Sequence, residues 1–278
     1  MIHFLRASSS YHHRMLREFL RDVEASADDL LLHTNVRWLS KGRVLERFWS
    51  IRREIADFLA ELKSQKATQF SLFLKDEKKI DNLAFLVDIT SHLNELNMKL
   101  QGKNNSICEL ITAVRSFQRK LELFREDLQG DCVHFPALQD QVQGQRDVSA
   151  FVDFVDKLIV NFSKRFDSFS FGQQLTMFIQ NPFLITDVRG FSKEVTQLFK
   201  WANAAPLQME LIDLQADVAL KEQFRGDEPA TFWFQMVSES AFPGLRKVAL
   251  YILTMFGSTY SCEAAFSTMN IIQCFPQI

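Results

Sequence analysis

Apolar residues return every three or four positions along most of this chain, with few breakers between them. Residues 43–63 carry Val44, Phe48, Ile51, Ile55, Phe58 and Leu62 in this rhythm. Residues 79–101 carry Leu83, Leu86, Ile89, Leu93, Leu96 and Leu100, followed by Gly102. The pattern resumes over 106–128 with Leu110, Val114, Phe117, Leu121, Phe124 and Leu128, before Gly130. A fourth run, 147–166, has Val148, Phe151, Val155, Leu158, Phe162 and Phe166. One apolar stripe and one charged face per segment is the signature of helices packed around a shared core. Short connections such as 101–105 favour antiparallel neighbours.

Composition supports the same fold class. Only 9 Gly and 6 Pro occur in 278 residues, less than half of the usual share of about 12%. A β-sandwich or barrel needs more turn residues than that. The expected class is mainly α. Strand signals are thin: Leu30-Leu31-Leu32-His33 is the best, and Phe183-Leu184-Ile185 after Asn181-Pro182 a weaker second. The 27 Phe, 13 of them between Phe117 and Phe199, supply apolar area without a hydroxyl to satisfy. Breaks in periodicity fall at 130–145, 203–206 and 226–229.

Charge excludes the simplest nucleic-acid reading. Lys+Arg number 32 against 34 Asp+Glu, for a net charge of −2, and phosphate binding needs a basic face. Residues 205–278 hold four basic and eight acidic groups. The start lacks the apolar run of a signal peptide, and no stretch reaches the length of a membrane span. Scattered Cys108, Cys132, Cys262 and Cys274 read as reduced thiols of an intracellular protein.

No familiar catalytic or phosphate-binding motif is present, and no cofactor is expected. Cys132-x-His134 offers two metal ligands without a second pair at zinc spacing, so no metal site is assigned. His12-His13 reads as a solvated helix face, Asp28-Asp29 as a cap or terminator, and Asp153 with Asp156 as a solvated face. Cys108 reads as a small core residue. Glu263 is the one charge between Tyr251 and Ile278; an isolated carboxylate in apolar surroundings needs a partner or a role, unless it is simply exposed.

Five stretches carry a further signal: 2–20 (IHFLRASSSYHHRMLREFL), 33–48 (HTNVRWLSKGRVLERF), 89–124, 209–224 (MELIDLQADVALKEQF) and 256–270 (FGSTYSCEAAFSTMN). In this order they resemble the hAT superfamily of DNA transposases, in its domesticated, zinc finger BED-like branch. The resemblance implies an RNase H-like body interrupted by a helical insertion and closed by a C-terminal dimerisation region. It maps residues 1–40 to a remnant of the RNase H-like core, 41–204 to the insertion, and 205–278 to a truncated dimerisation region. Arg37 and Trp38 match the pair that contacts the DNA end, where an aromatic face would stack on a base. Glu263 matches the family's last catalytic carboxylate, with Ala264 where an Arg is usual. The family uses three carboxylates to hold two metal ions. The other two, and the zinc finger, would precede this chain, so no active catalytic residue, metal or cofactor is expected.

The resulting expectation is a non-catalytic, transposase-derived protein that associates through its C-terminal region with a second copy or a related hAT-derived chain. The resemblance implies a nuclear location. Nucleic-acid binding by this chain alone is not expected, nor is a membrane. Residual DNA binding within a longer protein, or a gene fragment without selected function, are the alternatives. Leu211, Leu214, Phe232, Trp233, Leu245, Val248, Ile252 and Phe266 are the association candidates, since aromatic and apolar anchors dominate interfaces. The competing reading is that they fill the core of a single chain.

Overall fold

The computed structural model describes residues 1–6, 10–31, 38–101, 107–141, 147–166, 172–224 and 229–255. Among them the regular structure is helical, as the periodicity predicts. The chain divides into two compact units: residues 1–98 with 118–161, and residues 99–117 with 162–278. This division is by contact, whereas the three-part division above is only what the resemblance implies.

The first unit opens with α1 (Ile2–Arg6), α2 (Ser10–Asp22), α3 (Trp38–Ser50), α4 (Arg52–Glu61), α5 (Gln65–Lys75) and α6 (Glu77–Leu100). Leu5, Leu16, Leu20, Leu30, Ile51, Ile55 and Phe58 form its buried centre. The expected single helix over 43–63 is two helices. Ile51 leaves the helical region (φ −119°, ψ 23°) while remaining fully buried. The break is stabilised locally: the Arg52 guanidinium donates to Trp49 O at 2.9 Å and Ser50 Oγ donates to Arg47 O at 2.9 Å. These are carbonyls that the end of α3 would otherwise leave without partners. Gly42, inside α3, lies close to α6: a Cβ there would meet the end of the Asn94 side chain, which would have to move.

α6 follows its expected bounds but not its expected stripe. Ile80, Ala84, Phe85, Val87, Asp88 and Ile89 are buried, and Leu86 is 40% exposed. The helix is covered over more than half its circumference, so a single stripe does not describe it. By contrast α7 (Ile107–Asp127) buries Leu110, Val114, Phe117, Leu121 and Phe124 as spaced, with Leu128 just beyond. A loop then winds round Asp127, whose carboxylate accepts from Val133 N and His134 N. Cys132 takes the left-handed conformation there (φ 53°). The loop ends in α8 (Pro136–Gln139), and α9 (Ser149–Phe166) follows. Of the α9 stripe only Phe151 and Val155 are fully buried; Val148, Leu158, Phe162 and Phe166 are half-buried.

The second unit contains α10 (Gln173–Gln180), α11 (Val188–Leu198), α12 (Ala204–Ala216), α13 (Val218–Gln223), α14 (Pro229–Thr231) and α15 (Pro243–Leu253). Side-chain caps start three of them: Asp187 accepts from Gly190 N, Asn203 from Ala205 N and Asp217 from Leu220 N. Residues 183–185 do not form the expected strand. Pro182–Leu184 is a 3-10 turn, because Pro182 sets φ at its first position and the Asn181 side chain accepts from Phe183 N at 3.0 Å. Of the other strand candidate, Leu30 and Leu31 lie outside any regular element, and Leu32 and His33 fall outside the described residues. Gly102 does as well.

Candidate association surface

The association candidates of the C-terminal unit lie in its interior. Leu211, Leu214, Trp233, Leu245, Val248 and Ile252 are 0% exposed and Phe232 is 1% exposed. They join Leu175, Phe178, Phe191, Val195 and Leu207 in one apolar cluster. Its centre is aromatic: the Trp233 ring lies 4.6 Å from Phe178 and 5.3 Å from Phe232, and Phe178 lies 4.7 Å from Phe191. Such offset and tilted pairs add to simple area burial. These side chains are therefore occupied within the chain. Phe266, Arg37 and Glu263 fall outside the described residues; Trp38 begins α3, but its side chain is outside them too.

Polar groups fix α12 against its neighbours. Glu210 accepts from Gly244 N and Leu245 N at 3.2 and 2.9 Å, capping α15, which opens with Pro243 and so has no N–H at its first position. Gln215 Nε2 donates to Pro182 O and Ile185 O, both at 2.8 Å, holding the 3-10 turn. Gln208 donates to Ser192 Oγ of α11 at 2.7 Å. The inner face of α12 (Leu207, Leu211, Leu214) is thereby set in the core.

Apolar surface remains outside that core. Met209 is 62% exposed, Ile212 49% and Val218 67%, and Leu184 and Phe234 are exposed as well. A separate aromatic platform joins exposed Trp201 and Tyr251, whose rings stand 5.4 Å apart, with Lys247 Nζ 4.2 Å from the Trp201 ring centre. Met209, Ile212, Trp201 and Tyr251 are not among the association candidates that the sequence suggested. The signal lay in α12 itself, where apolar residues occupy two faces instead of one.

The remaining chemistry-bearing residues are structural. His12 and His13 do not form the expected solvated face: the His12 ring lies 5.2 Å from Phe4, and His13 Nε2 is 3.0 Å from both Asp29 carboxylate oxygens. Asp29 also faces Arg6 and accepts from Leu30 N at 2.8 Å, tying α1, α2 and the following loop together. Asp153 and Asp156 form exposed pairs with Lys157 and Arg125. Cys132 is buried with Sγ near Leu128 O, and His134 Nδ1 stands 3.2 Å from Asp127 Oδ2. The side chain of Cys108 is outside the described residues. No group of three His, Cys, Asp or Glu able to hold a metal occurs among the described residues, nor any helix long and apolar enough to cross a membrane.

Among the described residues Asp88 is the one buried acid. Its two oxygens accept from Ala137 N and Leu138 N at 3.1 and 3.0 Å, the free donors behind Pro136 at the start of α8. Burial raises its pKa above the ordinary carboxylate value, against the pull of those two bonds. His92, one turn along α6, donates from Nε2 to His134 O at 2.8 Å and stacks on Phe124 at 4.2 Å. The arrangement is a helix cap joined to a loop clamp.

Comparison with known proteins locates similarity across most of the chain. Residues 1–129 match the family described as the FAM200/GTF2IRD2 helical domain. Over 266 residues, 95% of this chain, the sequence is 31% identical to general transcription factor II-I repeat domain-containing protein 2 of Bos taurus. It is 30% identical over 266 residues to the protein of that name in Mus musculus. The chain spans about a quarter of these relatives, 26% of each. No solved structure matches it significantly. The matches agree with the resemblance to transposase-derived hAT proteins.

Proposed function

We propose, from the match of residues 1–129 to the family described as the FAM200/GTF2IRD2 helical domain, that this chain is part of a non-catalytic descendant of a hAT transposase that works by protein association. The associating region is 205–278, the partner a second copy or a related hAT-derived chain, and the setting the nucleus. Residues 1–40 and 41–204 are read as the RNase H-like remnant and the insertion. One observation carries the reading: the C-terminal unit closes a full aromatic core and still leaves Met209, Ile212, Val218, Trp201 and Tyr251 substantially exposed. Apolar surface left after the core is complete marks a site of interaction. The lack of catalysis rests on the resemblance: Glu263 matches one acid, and two metal ions need more.

Light scattering on the purified chain, read across a concentration series, tests this. A mass rising above the 32.3 kDa of one chain supports it. A constant single-chain mass at high concentration removes self-association, and DNA retardation at low salt would replace association with nucleic-acid binding.

A further inference from the structure

We infer that the outer face of α12 is an antiparallel helix–helix seam between two copies of this chain. The inference rests on the association reading and names the surface that performs it. Ala205, Met209, Ile212 and Ala216 are all exposed. They are spaced four, three and four residues apart, the a/d rhythm of a two-helix seam. At about 100° per residue they fall within an arc of about 60°, opposite the buried Leu207, Leu211 and Leu214. The helix is apolar on both sides, and among the described residues only the inner side is covered.

The order of residues indicates which neighbour fits. A two-fold axis between positions 210 and 211 sets Ala205 of one copy opposite Ala216 of the other, and Met209 opposite Ile212. Small meets small and large meets large, so the face complements itself, as an isologous contact requires. Charge selects the antiparallel direction. Asp213, exposed beside the stripe, lies across from Gln208 of the other copy, whereas a parallel pairing would bring the two Asp213 carboxylates together. Glu210, the other acid of α12, is already engaged at the start of α15.

Area sets the strength. A helix of 13 residues is about 20 Å long and about 10 Å across, well short of the roughly 800 Å² per partner of a standard interface. The contact is therefore weak and exchanging, stronger only where other parts of a longer chain add to it.

Sedimentation velocity on the full chain decides. The unaltered chain is expected to approach dimer mass as concentration rises. M209E is expected to weaken dimerisation by more than about tenfold, since it buries an unpaired carboxylate, with an unchanged circular dichroism spectrum. Mixing M209E with I212K should restore dimer, because the two charges face each other, while M209E mixed with M209K should not. A dimer that survives M209E, that is lost instead in W201A/Y251A, or that M209K rescues better than I212K overturns the seam but leaves association standing. An unaltered chain that stays monomeric throughout overturns both.

Discussion

α7 and α12 are both rich in leucine, yet they end in opposite situations. Every residue of the α7 stripe, from Leu110 to Leu128, is at most 6% exposed, and the rest of its surface is mostly polar. α12 buries Leu207, Leu211 and Leu214 equally well and then presents Met209 and Ile212 to solvent. One stripe describes a helix whose partners all lie within its own chain. A second stripe describes a helix with apolar surface to spare, and that surplus is a better guide to association than apolarity as such.

The largest expected effect breaks the comparison most sharply. L211A, on the inner face, should cost about 2–5 kcal/mol by lost burial and the cavity left behind, as should L121A in α7. Urea unfolding measures both; a loss under about 1 kcal/mol at Leu211 would mean that the inner face is not core. Next comes Asp88→Ala, which strands the buried N–H groups of Ala137 and Leu138 and should cost about 1–3 kcal/mol. Smaller again is Asp217→Ala, which removes the cap of α13 at about 1 kcal/mol. The mildest is Ile212→Ala, expected within about 0.5 kcal/mol for the isolated chain, as for an exposed position.

Asp88 also carries a pH signature. Its native pKa is raised by burial, so the charged form is disfavoured more in the folded than in the unfolded chain. Its contribution is full below the unfolded carboxylate pKa and is lost as pH rises through the raised native value. Asp88→Asn should flatten that part of the stability–pH curve. A curve of unchanged shape would show that Asp88 titrates alike in both states.

Much of the fold was legible because spacing and burial coincide where a helix has one covered face, as in α7. The break at Ile51 was hidden, since Ile51 keeps the apolar spacing and the turn depends on side chains of Ser50 and Arg52 reaching backbone carbonyls. At 183–185 the β-favouring residue types outweighed Asn181-Pro182, the turn signal that prevails in the structure. The link from Asp88 to Ala137 spans 49 residues and leaves no trace in local pattern. The association candidates were chosen for apolarity at helical spacing, a property that the inner and outer faces of α12 share. Only the positions 205, 209, 212 and 216, read as a second stripe, separate surface from core.

The most direct test of this account is the weight-average mass of the unaltered chain beside M209E/I212E, followed by sedimentation over a wide concentration range. The account predicts that the first climbs from 32.3 kDa toward twice that value, while the double variant stays at single-chain mass and unfolds at the same urea concentration. Equal masses for the two chains at every concentration would contradict it.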